Sequence, residues 1–254
     1  MPETVAVTIP VYKENINADE LKSLNQCLKI LGSYPVIFFA PEELDTAFYE
    51  AQCNGKVEFR IERFAGGYFT GTDGYNHLML NPDFYRRFAD FKFILIYQLD
   101  AYVFKDELTE WCQKNYDYIG APYIFVDLDN YPAKVLTKYR RLLKTLQKFH
   151  LTRHKFRHVG NGGFSLRKVG KTIRFLTTMK RLVKKWPNNE DSFFTYYGNV
   201  CYPFFRLAPE DEALQFSFED RPAEAFEINH HKIPFGCHAW QKYGPDFWKQ
   251  YMDA

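Results

Sequence analysis

The stretch FILIYQLDAYVF, residues 93–104, is apolar through Tyr97, breaks on Gln98 and Asp100, and then turns apolar again. A run this hydrophobic and β-branched reads as a buried strand, yet it ends on a carboxylate. In open α/β sheets, ligands bind in the crevice beyond the carboxyl ends of the strands, where a polar side chain can reach the site without being buried. Asp100 is therefore a candidate site residue. The ordinary alternative is that Asp100 caps the following helix, KDELTEWCQKNY at 105–116, but Asp106 is better placed for that role.

Upstream of this stretch the same rhythm repeats. VAVTIPVY (5–12) predicts a strand, and NADELKSLNQCLKIL (17–31) keeps Leu21, Leu24, Cys27, Leu28 and Leu31 at helical spacing. PVIFFAP (35–41), KVEFRIERF (56–64) and, downstream, YDYIGAPY (116–123) read as further strands separated by helical stretches. Strands alternating with helices imply an α/β fold with a mainly parallel central sheet flanked by helices. At 254 residues and 46% hydrophobic content, one domain is expected to hold its own core.

A net charge of +2 gives no overall field for nucleic acid, and none is expected as a partner. The five cysteines are scattered, with no metal-type spacing, and read as reduced buried thiols. The N-terminus lacks a basic region before its short apolar run, and no window approaches the length of a membrane span. A cytoplasmic location is expected.

The charge is not spread evenly. Residues 134–157 carry nine Lys and Arg and no acid, with Leu136, Tyr139, Leu142, Leu143, Leu146 and Phe149 at helix-compatible spacing. This predicts a basic amphipathic helix, either a solvated face or a surface for acidic membrane or substrate.

Four further segments carry candidate chemistry. VGNGGFSLRK (159–168) places Asn161, Gly162 and Gly163 together, and adjacent glycines leave room for a close ligand or simply make a turn. PNNEDSFFTYY (187–197) sets Glu190 and Asp191 at a helix start, where acids suit the macrodipole or serve as general base. APEDEALQFSFE (208–219) competes through Glu210, Asp211 and Glu212. IPFGCHAW (233–240) offers His238 in a loop with Gly236 and Trp240.

Taken in order, IPVYKE, YQLDAYVF, GNGGFSLR, NEDSFF and PFGCHAW resemble nucleotide-sugar glycosyltransferases of the GT-A (Rossmann-like) fold. The series is most similar to a bacterial glycosyltransferase-like family encoded in surface-polysaccharide clusters. The resemblance implies sugar transfer from a nucleotide-sugar donor to a saccharide or lipid-linked saccharide acceptor with inversion. The alternatives are a retaining enzyme or a non-catalytic sugar-binding module. It implies a donor half at 1–120, a basic helical insertion at 131–158 and an acceptor half at 159–254. Asp100 and His238 match the ligands of a divalent metal, Mn²⁺ or Mg²⁺, with Gln98 standing where the D-x-D pattern has its first Asp. Asp191 matches the base and Glu190 its neighbour. Pro10, Val11, Tyr12, Tyr75 and Asn76, with Gln98 and Asp100, match donor contacts, while Asn161, Gly162, Gly163 and Trp240 match the acceptor side. A lipid-linked acceptor would give residues 134–157 a peripheral membrane role.

Overall fold

A computed structural model describes residues 3–124, 134–152 and 154–252. The first half alternates as its sequence predicts. Strand β1 (Glu3–Pro10) leads into α1 (Ala18–Leu31), β2 (Val36–Pro41), α2 (Ala47–Cys53) and β3 (Phe59–Phe64). Helix α1 starts at a capping box, where the Asn17 side chain accepts from the Glu20 amide and the Glu20 carboxylate accepts from the Asn17 amide, both at 2.9 Å. A 3₁₀ turn (Gly66–Phe69), α3 (Gly71–Met79) and α4 (Pro82–Arg86) precede β4 (Phe91–Tyr97).

The rest comprises β5 (Tyr102–Val103), α5 (Leu108–Lys114), β6 (Tyr118–Ile119), α6 (Lys134–Lys148), β7 (Phe164–Lys168), α7 (Val169–Thr178), α8 (Lys180–Val183) and α9 (Glu190–Val200). It closes with α10 (Glu210–Phe216), β8 (Ser217–Phe218), α11 (Pro222–Ile228), β9 (Gly236–Cys237) and α12 (Pro245–Met252). Ahead of α5, the Asp106 carboxylate accepts from the Leu108 amide at 3.4 Å, which leaves Asp100 free of capping.

The main sheet has the order β3-β2-β1-β4-β7-β6. Its first four strands are parallel, and β4 is buried except at Lys92 because β1 and β7 flank it and helices cover its faces. Strand β6, from YDYIGAPY, instead pairs antiparallel with β7, and β7 pairs antiparallel with β4. This reversal positions the site. Because β7 runs against β4, the GNGG loop that enters β7 lies beside the C-terminal end of β4, and the Gln98 amide donates to the Gly163 carbonyl at 2.8 Å. The strands thus come from both sides of the 131–158 segment, whose residues 131–133 lie outside the described part.

A small sheet, β5-β9-β8, meets the same edge. Tyr102, Phe218, Cys237, Trp240 and Trp248 form a second apolar cluster around it. All five cysteines are free, and four of them are buried.

Candidate active site

The C-terminal ends of β1 and β4 open onto a cleft of about 420 Å³. Pro10, Val11 and Tyr12 form one wall, Tyr75, Gly71 and Thr72 another, and Gln98, Leu99 and Asp100 the floor. Tyr12 stands 57% exposed, and Lys13 pairs with Glu20 at 2.7 Å beside it. An aromatic left this open at a polar cleft suits a flat ligand.

Beside the cleft floor three side chains converge on His238. His238 Nε2 lies 3.1 Å from Gln98 Oε1 and 3.1 Å from Asp100 Oδ1, while its Nδ1 lies 3.1 Å from Glu219 Oε1. The chain brings them together because each follows a strand: Gln98 and Asp100 follow β4, Glu219 follows β8 and His238 follows β9. Burial alone would lower the His238 pKa, but Asp100 and Glu219 raise it to about 10. The Asp100 carboxyl is held below its usual range, His238 outweighing the burial that opposes ionisation.

No three His, Cys, Asp or Glu side chains group to hold a metal ion among the described residues. The donors that do meet are one carboxylate, one imidazole and one amide oxygen. Hard divalent cations such as Mg²⁺ accept so sparse a protein set when substrate phosphates complete the shell. Asp100 Oδ1 is buried without a hydrogen-bond partner, the Nε2 contact being misaligned for one. Its neighbour at 3.1 Å is the protonated His238 ring, so a cation bound here would take the place of the proton that Asp100 now holds on that ring, with the neutral ring nitrogen and the Gln98 oxygen beside it.

The acceptor-side residues are placed differently from expectation. Gly162 and Gly163 leave no open space for a sugar. A Cβ on Gly163 would collide with the His238 ring, and one on Gly162 with the Glu190 carboxylate. The glycines are needed because the chain's own side chains occupy that volume. Asn161, 1% exposed at a φ of 63°, accepts from the Gly163 amide through its side chain at 3.1 Å and shapes the loop. Trp240 is 8% exposed and packs edge-on to Tyr102 in the second cluster, so it belongs to the core.

Glu190 and Asp191 part company. Asp191 Oδ2 accepts from the Tyr123 hydroxyl at 2.6 Å and the Asn161 amide at 3.2 Å, and Oδ1 accepts from the Ser192 amide at 2.6 Å. Burial raises its pKa, the Tyr123 hydrogen bond opposes this and the Glu219 charge adds to it. Glu190 is sealed instead. Its Oε1 accepts from Arg167 Nη2 at 2.9 Å, with the two side chains 3% and 0% exposed. Arg167 also donates to Tyr85, Ser165 and the Gly162 carbonyl. Asn76 points the same way, accepting from the Glu190 amide at 3.1 Å, so it anchors α9 and does not line the cleft. The competing acids lie elsewhere: Glu210 pairs with His158, Glu212 with Lys114, and Asp211 is exposed on α10.

Three residues escape sequence reading. Glu219 has the same signal as Asp100, an acid directly after an apolar residue at the end of a strand, but β8 is too short to announce a strand. Arg167 sits within the GNGGFSLR series on a buried strand, where a charge is rare unless paired. Tyr123 has no signal, since only the fold brings it to Asp191.

Comparison with known proteins places this geometry in context. Core-mannan synthase A (CmsA/Ktr4) from Aspergillus fumigatus, in its Mn/GDP form, superposes with a TM-score of 0.54 at 10% identity, covering 82% of this chain and 73% of that one. Mouse xyloside xylosyltransferase 1 superposes at 0.54 and 11% identity, covering 93% and 98%. GlyE from Streptococcus pneumoniae gives 0.52 at 9% identity, covering 98% of this chain but only 60% of that one. The fold is therefore that of the GT-A glycosyltransferases. By sequence, the chain belongs to the family described as "Protein of unknown function (DUF5672)", whose pattern matches residues 58–238. No curated protein matches it.

Proposed function

We propose that this protein transfers a glycosyl group from a nucleoside-diphosphate sugar to a hydroxyl of a saccharide or lipid-linked saccharide, as in the assembly of bacterial surface polysaccharide. The observation that carries the reading is a cleft at the C-terminal edge of parallel strands, with Gln98 and Asp100 in its lining and the His238 ring 3.1 Å from each of them. Residues 1–120 supply that donor side and residues 159–254 the acceptor side.

In this reading Pro10, Val11 and Tyr12 bind the nucleobase, Tyr75 lies along the donor, and Asp100, His238 and Gln98 hold Mn²⁺ or Mg²⁺. The cation supplies Lewis acidity that offsets charge on the departing diphosphate. Glu219 fixes the His238 ring by its hydrogen bond to Nδ1, so that Nε2 faces the cleft floor. Asp191 accepts the proton of the acceptor hydroxyl as that oxygen attacks the anomeric carbon from the opposite face. The acceptor oxygen docks at Oδ2, where the Tyr123 hydroxyl now donates, and Tyr123 turns aside. General-base help is worth ~10²–10⁴-fold.

A retaining displacement is the second reading, favoured by the fact that both Asp191 oxygens are already bonded within the chain. Proton NMR of the product's anomeric centre separates the two. A screen of nucleotide sugars for hydrolysis, with and without Mn²⁺, tests the activity itself. No metal-stimulated release of nucleoside diphosphate from any donor would remove the proposal.

A further inference from the structure

Helix α6 buries one side and leaves the other bare. Leu143 is buried, the Tyr139 hydroxyl donates to the Asn199 carbonyl at 2.8 Å, and Gln147 donates to the His154 carbonyl, so this side is anchored to α9 and to the returning chain. Residues 138, 142, 145 and 149 share an adjoining flank by helical periodicity. There Leu142 is 53% and Phe149 64% exposed, followed by Leu151 at 72%. Lys138, Arg141, Lys144, Lys148 and Lys155 are exposed around them.

The turn that α6 leans on continues the pattern. His154 stacks on Tyr202 with ring centroids 4.1 Å apart, and at the end of α9 and just beyond it the side chains of Val200, Tyr202 and Phe204 are open, Phe204 at 80%. Lys171 donates to the Phe204 carbonyl at 3.0 Å, adding another cation. Ten large apolar side chains are exposed among the described residues. Six of them, Leu142, Phe149, Leu151, Val200, Tyr202 and Phe204, fall on α6, its exit and this adjoining turn. Scattered exposed apolar residues need no explanation, but a concentration on one side does.

We propose that this face is a docking surface for an anionic lipid bilayer. Aliphatic and aromatic side chains ringed by Lys and Arg, without acids from 134 to 157, match the two layers of a membrane interface. The apolar tips enter the acyl boundary and the cations meet anionic headgroups. Leucines at the centre of the patch suit acyl chains better than stacked bases, which favours a bilayer over nucleic acid. The surface stands independently of the glycosyl-transfer reading, but it has a consequence for it. The chain leaving α6 returns through residues 154–158 to the GNGG loop, so docking would bring the acceptor side of the site toward lipid.

Sedimentation of the full chain with vesicles of phosphatidylglycerol and phosphatidylcholine, against phosphatidylcholine alone, tests this. Binding is expected to the anionic vesicles only and to weaken as salt rises from about 0.1 to 0.5 M. Combining Lys138→Glu, Arg141→Glu, Lys144→Glu and Lys148→Glu should weaken it by ~100-fold or more. Combining Leu142→Asn, Phe149→Ser and Leu151→Asn should weaken it by ~10-fold. These side chains are exposed, so circular dichroism should be unchanged in both variants. A Phe149→Trp variant should gain a blue-shifted emission component on anionic vesicles. Equal sedimentation with neutral and anionic vesicles, wild-type binding by either combined variant, or displacement of vesicles by a single-stranded oligonucleotide would each overturn the proposal.

Discussion

Two ionic clusters sit at one edge of the sheet, and they are built in opposite ways. Arg167 and Glu190 are sealed, with side chains 0% and 3% exposed and the guanidinium also bonded to Tyr85, Ser165 and a backbone carbonyl. Asp100 lines the cleft at 41% exposure, paired with His238 at 13% and through it with Glu219 at 26%, and Asp100 Oδ1 lacks a hydrogen-bond partner. Sealed charges with satisfied donors hold geometry. Each cluster leaves one carboxylate oxygen without a hydrogen bond, Glu190 Oε2 and Asp100 Oδ1, so it is the place of Asp100 in the cleft lining that makes it available to a ligand. Asp191, next to Glu190 in sequence, belongs to neither cluster and bonds Tyr123, Asn161 and Ser192 as the candidate base.

The strongest test of the open cluster is Asp100→Ala. Turnover of a responsive nucleotide sugar should fall by about 10³-fold, taking electrostatic stabilisation of the leaving group as comparable to loss of a preorganised donor. Calorimetry should show nucleoside diphosphate binding no longer strengthened by Mn²⁺, while thermal unfolding falls only modestly because Glu219 remains beside the His238 ring. A large loss of stability would mean that Asp100 belongs with the sealed pair.

Arg167→Met reverses the pattern. It leaves Glu190 buried and unpaired, a change that costs about 3–5 kcal/mol. For a chain of this size that lowers the unfolding midpoint by roughly 10 °C. Calorimetric scanning of Arg167→Met beside the double variant Arg167→Met, Glu190→Leu should show the double variant recovering part of the loss, because no orphaned charge remains. If the single variant unfolds at the wild-type temperature, the sealed pair is not the anchor described here.

Asp191→Asn should reduce turnover by about 10²-fold or more with donor binding intact, since an amide keeps the shape but cannot take the proton. The pH profile carries the sign. Burial raises the Asp191 carboxyl, and a base works only when deprotonated. Activity should therefore fall as pH drops through a limb that lies above the usual carboxylate range. Tyr123→Phe removes a hydrogen bond that favours the carboxylate, so that limb should move to higher pH still. A limb unmoved by Tyr123→Phe would detach Asp191 from the profile.

The open cluster was more legible in the sequence than the sealed one, for a physical reason. Long apolar strands advertise themselves, so β1, β2 and β4 and the acid at the end of β4 can be read directly. Gly162 and Gly163 advertise only an absence of side chain; what fills the absence is chiefly Glu190 and His238, from distant parts of the sequence. Trp240 and Asn76 misled for a related reason. Flanking glycine and aromatic residues suggest a ligand loop, yet Trp240 turns into the second apolar cluster and Asn76 turns toward α9. The reversal of β6 and β7 is equally hidden, because the composition of a strand carries no direction and β6 is only two residues long.

The adjacent glycines give the finest test, since they touch one cluster each. A Cβ at Gly162 meets the Glu190 carboxylate and then Arg167, whereas a Cβ at Gly163 meets the His238 ring. Gly162→Ala should therefore act on stability, costing about 1–3 kcal/mol as an overpacked site that cannot yield without breaking the pair. Gly163→Ala pushes on the end of the His238 side chain, 13% exposed beside Gln98 and Asp100, which can swing aside at lower cost. Its effect should appear as roughly tenfold weaker nucleoside diphosphate binding in the presence of Mn²⁺, about 1.4 kcal/mol, with a smaller change in the unfolding midpoint. Measuring both quantities on both variants makes a two-by-two comparison. If Gly163→Ala loses more stability than Gly162→Ala and binds nucleoside diphosphate as tightly as the parent, then His238 is a structural member of the β9 loop and the division between sealed and open clusters fails at its centre.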